Sequence, residues 1–326
     1  MTKRERLFRL LHGEKVDRCP AGFWIHFPED CKYGDAAVNA HLNFIRETDT
    51  DILKVMNENI FYDGSSKIRS TSDLHYFRGF TRHDSIMKNQ METIKRIKDA
   101  SGNEYPVLAT IHGLLASAFH ETGFAGNFTS MGYCLAIFCR ERPLEMKQIF
   151  QLITESLMEF VDCSLEAGAD GIFYAALGGE KRYFTDDEYQ EFVFPFEMAL
   201  YNHIKLKTDF DVLHICKSGI DFNRYTSLKP TLVNWGIHTN GLSLTQGQEF
   251  FPGSILLGGF PDRTGILIDG TKEDVYHYTE QILKEMSGTR FILGADCTLP
   301  TDIPYEKIRW VMEAVKELSY GNKAMD

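Results

Sequence analysis

The sequence predicts a single (β/α)8 barrel spanning residues 1–326, and three observations predict it. Apolar, β-rich runs alternate with helical stretches from end to end, eight times over. Most of these runs are continuously apolar, as parallel strands covered on both faces must be. The length, 326 residues, suits one α/β barrel. A doubly wound open sheet would share the alternation, but no Gly-rich phosphate loop follows the first run.

The chain opens on a helix, in which Thr2 and Glu5 form a capping box and Leu7, Leu10 and Leu11 share one face. Strands are expected at residues 20–27, 51–56, 106–112, 171–175, 212–216, 231–236, 255–260 and 291–294. The clearest helix covers 144–165, where Met146, Ile149, Phe150, Ile153, Leu157 and Phe160 recur at helical spacing. The last covers 304–318, with Asp302 and Pro304 as start signals. Two long connections, 61–81 and 112–130, follow the C-terminal ends of strands, the side on which barrels build active sites. There is no internal repeat, low-complexity tract or linker, so one domain is expected.

Composition narrows the function. The formal net charge is −11, with 46 acidic against 35 basic residues, which argues against a nucleic-acid or anionic-membrane surface. No apolar run reaches the roughly 18 residues a membrane span needs. The first residues lack the apolar centre of a signal peptide. Seven scattered cysteines make no disulfide framework, so a reducing cytoplasm is expected, where clustered thiols can bind metal.

Three side chains stand out. His214 and Cys216 end the fifth strand and, because strand side chains alternate, face one way while Ile215 faces the other. Cys297 follows the eighth strand, in Gly294-Ala295-Asp296-Cys297. Each alone reads as a small core hydrophobe or a satisfied core histidine. Together at one rim they suit Zn²⁺, since two thiolates and an imidazole with an open fourth position describe a catalytic zinc site. Glu180, in the Gly-rich segment Leu177-Gly178-Gly179-Glu180, is either a loop acid or a flexibly held acid/base or fourth ligand. Asn57, Glu58 and Asn59 follow the second strand, His26, His112 and His238 each end a strand, and Asp296 follows the eighth, suggesting a polar cup that lines a substrate. Asp262-Arg263 could hold an anion, or each other.

Several motifs carry a resemblance. Lys3-Arg4-Glu5-Arg6, Val16-Asp17-Arg18, Ala167-Gly168-Ala169-Asp170-Gly171, Gly258-Gly259-Phe260-Pro261-Asp262 and Gly294-Ala295-Asp296-Cys297 resemble the uroporphyrinogen decarboxylase superfamily along nearly the whole chain. Its decarboxylases hold substrate carboxylates with arginines after the first strand, but Phe23-Trp24-Ile25-His26-Phe27 has none. Glu58 stands where they carry an Asp, and Asp296 where they carry a His. The other branch consists of zinc-dependent methyltransferases acting between a corrinoid protein and a thiol such as coenzyme M. Their His-x-Cys and distant Cys correspond to His214, Cys216 and Cys297. Lys217 departs from the glycine many of them place after that Cys.

The resemblance therefore implies zinc, a corrinoid carried by a partner protein, a small thiol acceptor, and Glu180 and Glu58 as catalytic acids. Phe61, Tyr62, Phe119, Phe124 and Phe128 would form an apolar rim for the partner. Two rival expectations stand beside it: a cofactor-free decarboxylase, and a zinc-thiolate sensor or binding protein without turnover.

Overall fold

The computed structural model describes residues 1–58, 68–123 and 127–323, without the side chains of Phe128 and residues 320–323. Eight parallel strands form one sheet: β1 (Ala21–Gly22), β2 (Leu53–Val55), β3 (Val107–His112), β4 (Gly171–Ala176), β5 (Asp211–Ile215), β6 (Leu232–Trp235), β7 (Ile255–Phe260) and β8 (Phe291–Ala295). Neighbours pair in sequence order and β1 pairs with β8, so the sheet curls into a (β/α)8 barrel. Apart from His112, the strand residues are buried, because helices cover the outside and side chains fill the inside.

The seam between β1 and β2 is closed by Asp51 rather than by a strand ladder. Its backbone N–H donates to the Ala21 carbonyl at 2.8 Å, and its carboxylate accepts from the Ala21 N–H at 2.8 Å. The same carboxylate takes a forked pair of bonds from Arg18, at 2.7 and 2.8 Å, and one from Arg6 at 2.7 Å. The opening helix, Lys3–Leu11, has the expected Thr2–Glu5 capping box and delivers Arg6 to this seam.

Some elements differ from expectation. β1 is two residues long, and the rest of the expected first strand contributes, among the described residues, an isolated bridge from Ile25 to Leu299. The connection at 112–130 is largely helical, with helices Leu114–Glu121 and Phe128–Glu141. Leu114, Leu115, Ala118 and Phe119 supplied the helical apolar spacing there, obscured by nearby glycines and histidines. Phe119 is consequently buried in the core rather than on the rim. In the other connection, Thr71–Tyr76 forms a 3-10 turn. Asn59, Phe61, Tyr62 and Phe124 lie outside the described residues.

Candidate metal centre and its cavity

A cavity of about 330 Å³ opens at the C-terminal ends of the strands. Trp24, Met56, Phe173, Ala175 and Leu177 give it apolar walls, and His26, Lys54, Asn57, Glu58, His112, His120, His214, Cys216, Lys217 and Cys297 supply its polar groups.

His214, Cys216 and Cys297 meet here, with one ligand atom from each lying within 4.8 Å of the others. Cys297 Sγ is 3.4 Å from His214 Nε2. Ligands of a tetrahedral zinc, with Zn–S and Zn–N bonds near 2.3 and 2.0–2.1 Å, stand about 3.6–3.8 Å apart, so the group fits that ion. His214 points the correct nitrogen inward. Its Nδ1–H donates to Asn234 Oδ1 at 2.6 Å, because the Asn234 amide N–H groups are already spent on the Leu257 and Ala295 carbonyls at 2.8 and 3.0 Å. That leaves Nε2 bare toward the thiols. Phe173 stacks on the other face of the imidazole, centroid to centroid 5.3 Å.

The two thiols share a proton unequally. Cys297 is held far below the ordinary thiol range, first by a hydrogen bond from Cys216 and, against the penalty of burial, by His214. Cys216 is driven up correspondingly. Of the two sulfurs, Cys297 is therefore the one that ionises more readily. The next residue, Lys217, takes a φ of 82°, the left-handed region that glycine occupies freely. A lysine there costs about 1–2 kcal/mol, held by an Asn240 side-chain bond to its carbonyl at 2.9 Å.

The other expected residues separate into two sets. His26, Asn57, Glu58 and His112 line the cavity. His26 Nδ1 bonds Glu58 Oε1 at 2.8 Å. Burial raises the Glu58 pKa, but His26 and nearby lysines outweigh it and keep the group ionised. His112 packs edge-on to His120 at 4.9 Å, and burial holds both imidazoles neutral, His120 down to about 4.

His238 and Asp296 do not line the cavity. They pair behind Cys297, where Asp296 Oδ2 accepts from the His238 backbone N–H at 2.8 Å and from Nδ1 at 3.0 Å. His238 lies in the short helix Ile237–Asn240 rather than ending a strand, because β6 stops at Trp235. Glu180 is buried outside the three-residue group, its Oε1 3.3 Å from Arg182. Nor is its glycine segment slack: a Cβ on Gly178 would lie 2.2 Å from Leu115, and one on Gly179 2.2 Å from Tyr225. Those glycines permit close packing. Asp262 and Arg263 pair with each other at 3.3 Å.

Sequence reasoning missed Lys54, His120 and Asn234. Lys54 is 6% exposed, with Nζ 4.3 Å over the Phe173 ring and 5.4 Å over Trp24. Burial, partly offset by Cys297 and Glu58, lowers its pKa to about 7. The signal was present as one lysine inside the apolar run Ile52-Leu53-Lys54-Val55-Met56. His120 was hidden in a segment read as a loop.

Known proteins bear on this geometry. The family described as Uroporphyrinogen decarboxylase (URO-D) matches residues 65–318. Methylcobamide:CoM methyltransferase MtbA of Methanosarcina acetivorans is 21% identical, covering 98% of this chain and 99% of that protein. Uroporphyrinogen decarboxylase of Aquifex aeolicus is 23% identical, covering 97% and 98%. In structure, a methyltransferase from Methanosarcina mazei superposes with a TM-score of 0.74 at 15% identity, over 98% of this chain and 99% of that one. That likeness shows the same fold.

Proposed function

This chain belongs to the uroporphyrinogen decarboxylase family, and from that premise we propose that it is a methyltransferase moving a methyl group between a corrinoid protein and a small thiol. The observation that carries the reading is the meeting of His214, Cys216 and Cys297 at the cavity. We assign these three residues to zinc, which when bound would supply a Lewis acid able to hold a thiol as thiolate at neutral pH. The near full-length likeness to a methylcobamide:CoM methyltransferase supports the same choice.

In this reading each residue has a definite task. Cys216 and Cys297 contribute two negative charges that balance a divalent cation, and His214 presents Nε2 beside them. Trp24, Met56, Phe173 and Leu177 keep water away from the reacting sulfur. Glu58 keeps His26 oriented at the half-exposed mouth. Glu180 serves as a reserve carboxylate, which must leave Arg182 before it can approach the cation.

Purified without chelator, the chain should carry about one zinc, and Cys297→Ala or His214→Ala should lose most of it. Thiols should add a thiolate-to-metal band to the spectrum of the cobalt-substituted chain. If no thiol, including coenzyme M and homocysteine, perturbs that spectrum, the reading loses its central step. Uroporphyrinogen should yield no carbon dioxide above background, and turnover of it without metal would favour decarboxylation instead.

A further inference from the structure

His214 and Cys297 approach within 3.4 Å although β6 and β7 lie between their strands in the sheet. Asn234, on β6, occupies the gap. It is fully buried and is the register partner of His214 on β5. Its single planar amide makes three hydrogen bonds to three other strands: Oδ1 accepts from His214 Nδ1, while Nδ2 donates to Leu257 O on β7 and to Ala295 O on β8. Ala295 stands two residues before Cys297, so the amide ties the imidazole to the segment that delivers the distant thiol.

We propose that Asn234 is the positioning residue of the metal centre, fixing the tautomer and direction of His214; this rests on the zinc reading above. The chemistry suits this residue type. An imidazole whose Nε2 is to bind a cation must keep its proton on Nδ1, and a buried Nδ1–H needs an acceptor. An amide oxygen accepts without adding charge, so the two thiolates can balance a divalent ion on their own. The oxygen must also face His214 and not swap places with the nitrogen. The two backbone carbonyls enforce that, because they accept only from N–H. A serine or threonine would offer an acceptor with no such orientation, and a leucine would offer none.

The test separates this role from simple packing. Zinc affinity of the purified chain is measured by competition with a chelator, and thermal unfolding of the metal-free chain is followed in parallel. Asn234→Leu should weaken zinc binding by about 10–100-fold. Asn234→Asp, which keeps an acceptor for Nδ1–H, should stay within a few-fold of the parent in zinc affinity even where it lowers the melting temperature. A folded Asn234→Leu chain with parental zinc affinity overturns the proposal, as does Asn234→Asp losing as much as Asn234→Leu. Should the variants not fold, the unmutated chain loaded with ¹¹³Cd decides: coupling must run to His214 Nε2, and coupling to Nδ1 refutes the assignment. A parent chain that binds neither zinc nor cadmium instead defeats the zinc reading itself, which distinguishes the two failures.

Discussion

Asp51 and Lys54 sit three residues apart at the second strand, and the barrel treats their charges in opposite ways. Asp51, at the N-terminal end, is fully buried, and its oxygens are taken up by Arg6, Arg18 and the Ala21 N–H. Lys54, pointing into the C-terminal cup, has no carboxylate within ion-pair distance among the described residues. Its described contacts are the Met56 thioether at 2.9 Å and two aromatic faces. A buried charge surrounded by charge-assisted bonds holds structure together, and removing a partner is costly. A buried charge left with weak partners costs stability, a cost that folds tolerate where a ligand is handled. The contrast separates the end of the barrel that maintains the fold from the end to which the proposed function is assigned.

Breaking the seam should produce the largest effect. Asp51→Ala leaves Arg6 and Arg18 facing each other without their shared anion, and should cost about 3–5 kcal/mol in a denaturant melt. Zinc bound per folded chain should stay unchanged. A loss below about 1 kcal/mol would mean that Asp17, which also pairs with Arg6, suffices alone.

Lys54→Met should move stability the other way, raising it by about 1–4 kcal/mol in the metal-free chain while lowering activity. The gain depends on pH. Below about 7 the amine is charged in both folded and unfolded chains, so the burial penalty is fully present. Between about 7 and the ordinary value of 10.5 the folded amine is neutral while the unfolded one still binds a proton, so the parent gains stability as pH rises. The advantage of Lys54→Met is therefore largest at pH 6 and shrinks toward pH 10. An advantage that grows with pH would contradict the buried, weakly partnered amine. Retained activity would remove Lys54 from the working end.

The smallest effect sharpens the boundary of the proposed metal centre. Glu180→Gln keeps the shape of a side chain lying outside the three-residue group, so zinc affinity should change by less than a few-fold, against a much larger loss in Cys216→Ser. Equal losses in a chelator competition would mean that the carboxylate leaves Arg182 and binds the cation.

The alternation of apolar runs and helices gave a parallel α/β fold, because strand burial and helix amphipathicity are local periodicities, and the count of eight without a Gly-rich loop after the first run favoured the barrel. The same alternation put His214 and Cys216 on one face, and their position at strand ends put them on the same rim as Cys297. Family motifs then pointed to the chemistry. Less was legible where polarity and helical spacing were mixed. Residues 114–121 read as loop because His112, Gly113 and His120 masked a helix, and with it went His120 as a cavity residue.

What tertiary structure decided was which rim residues meet. His26 with Glu58, and His238 with Asp296, are pairs between segments 32 and 58 residues apart, and the second pair turns away from the cavity. Glu180 pairs with Arg182 at 3.3 Å, and the segment before it packs closely at Gly178 and Gly179 against Leu115 and Tyr225 from elsewhere in the chain. Asn234 reads in sequence as one polar residue in an apolar strand, yet its amide bridges three strands at once. The reason is geometric. A local pattern tells a side chain which face of its strand to take, whereas the depth and angle at which strands meet across a closed barrel depend on stagger and closure. Those follow from the packing of all eight strands together and set the 3.4 Å between His214 and Cys297.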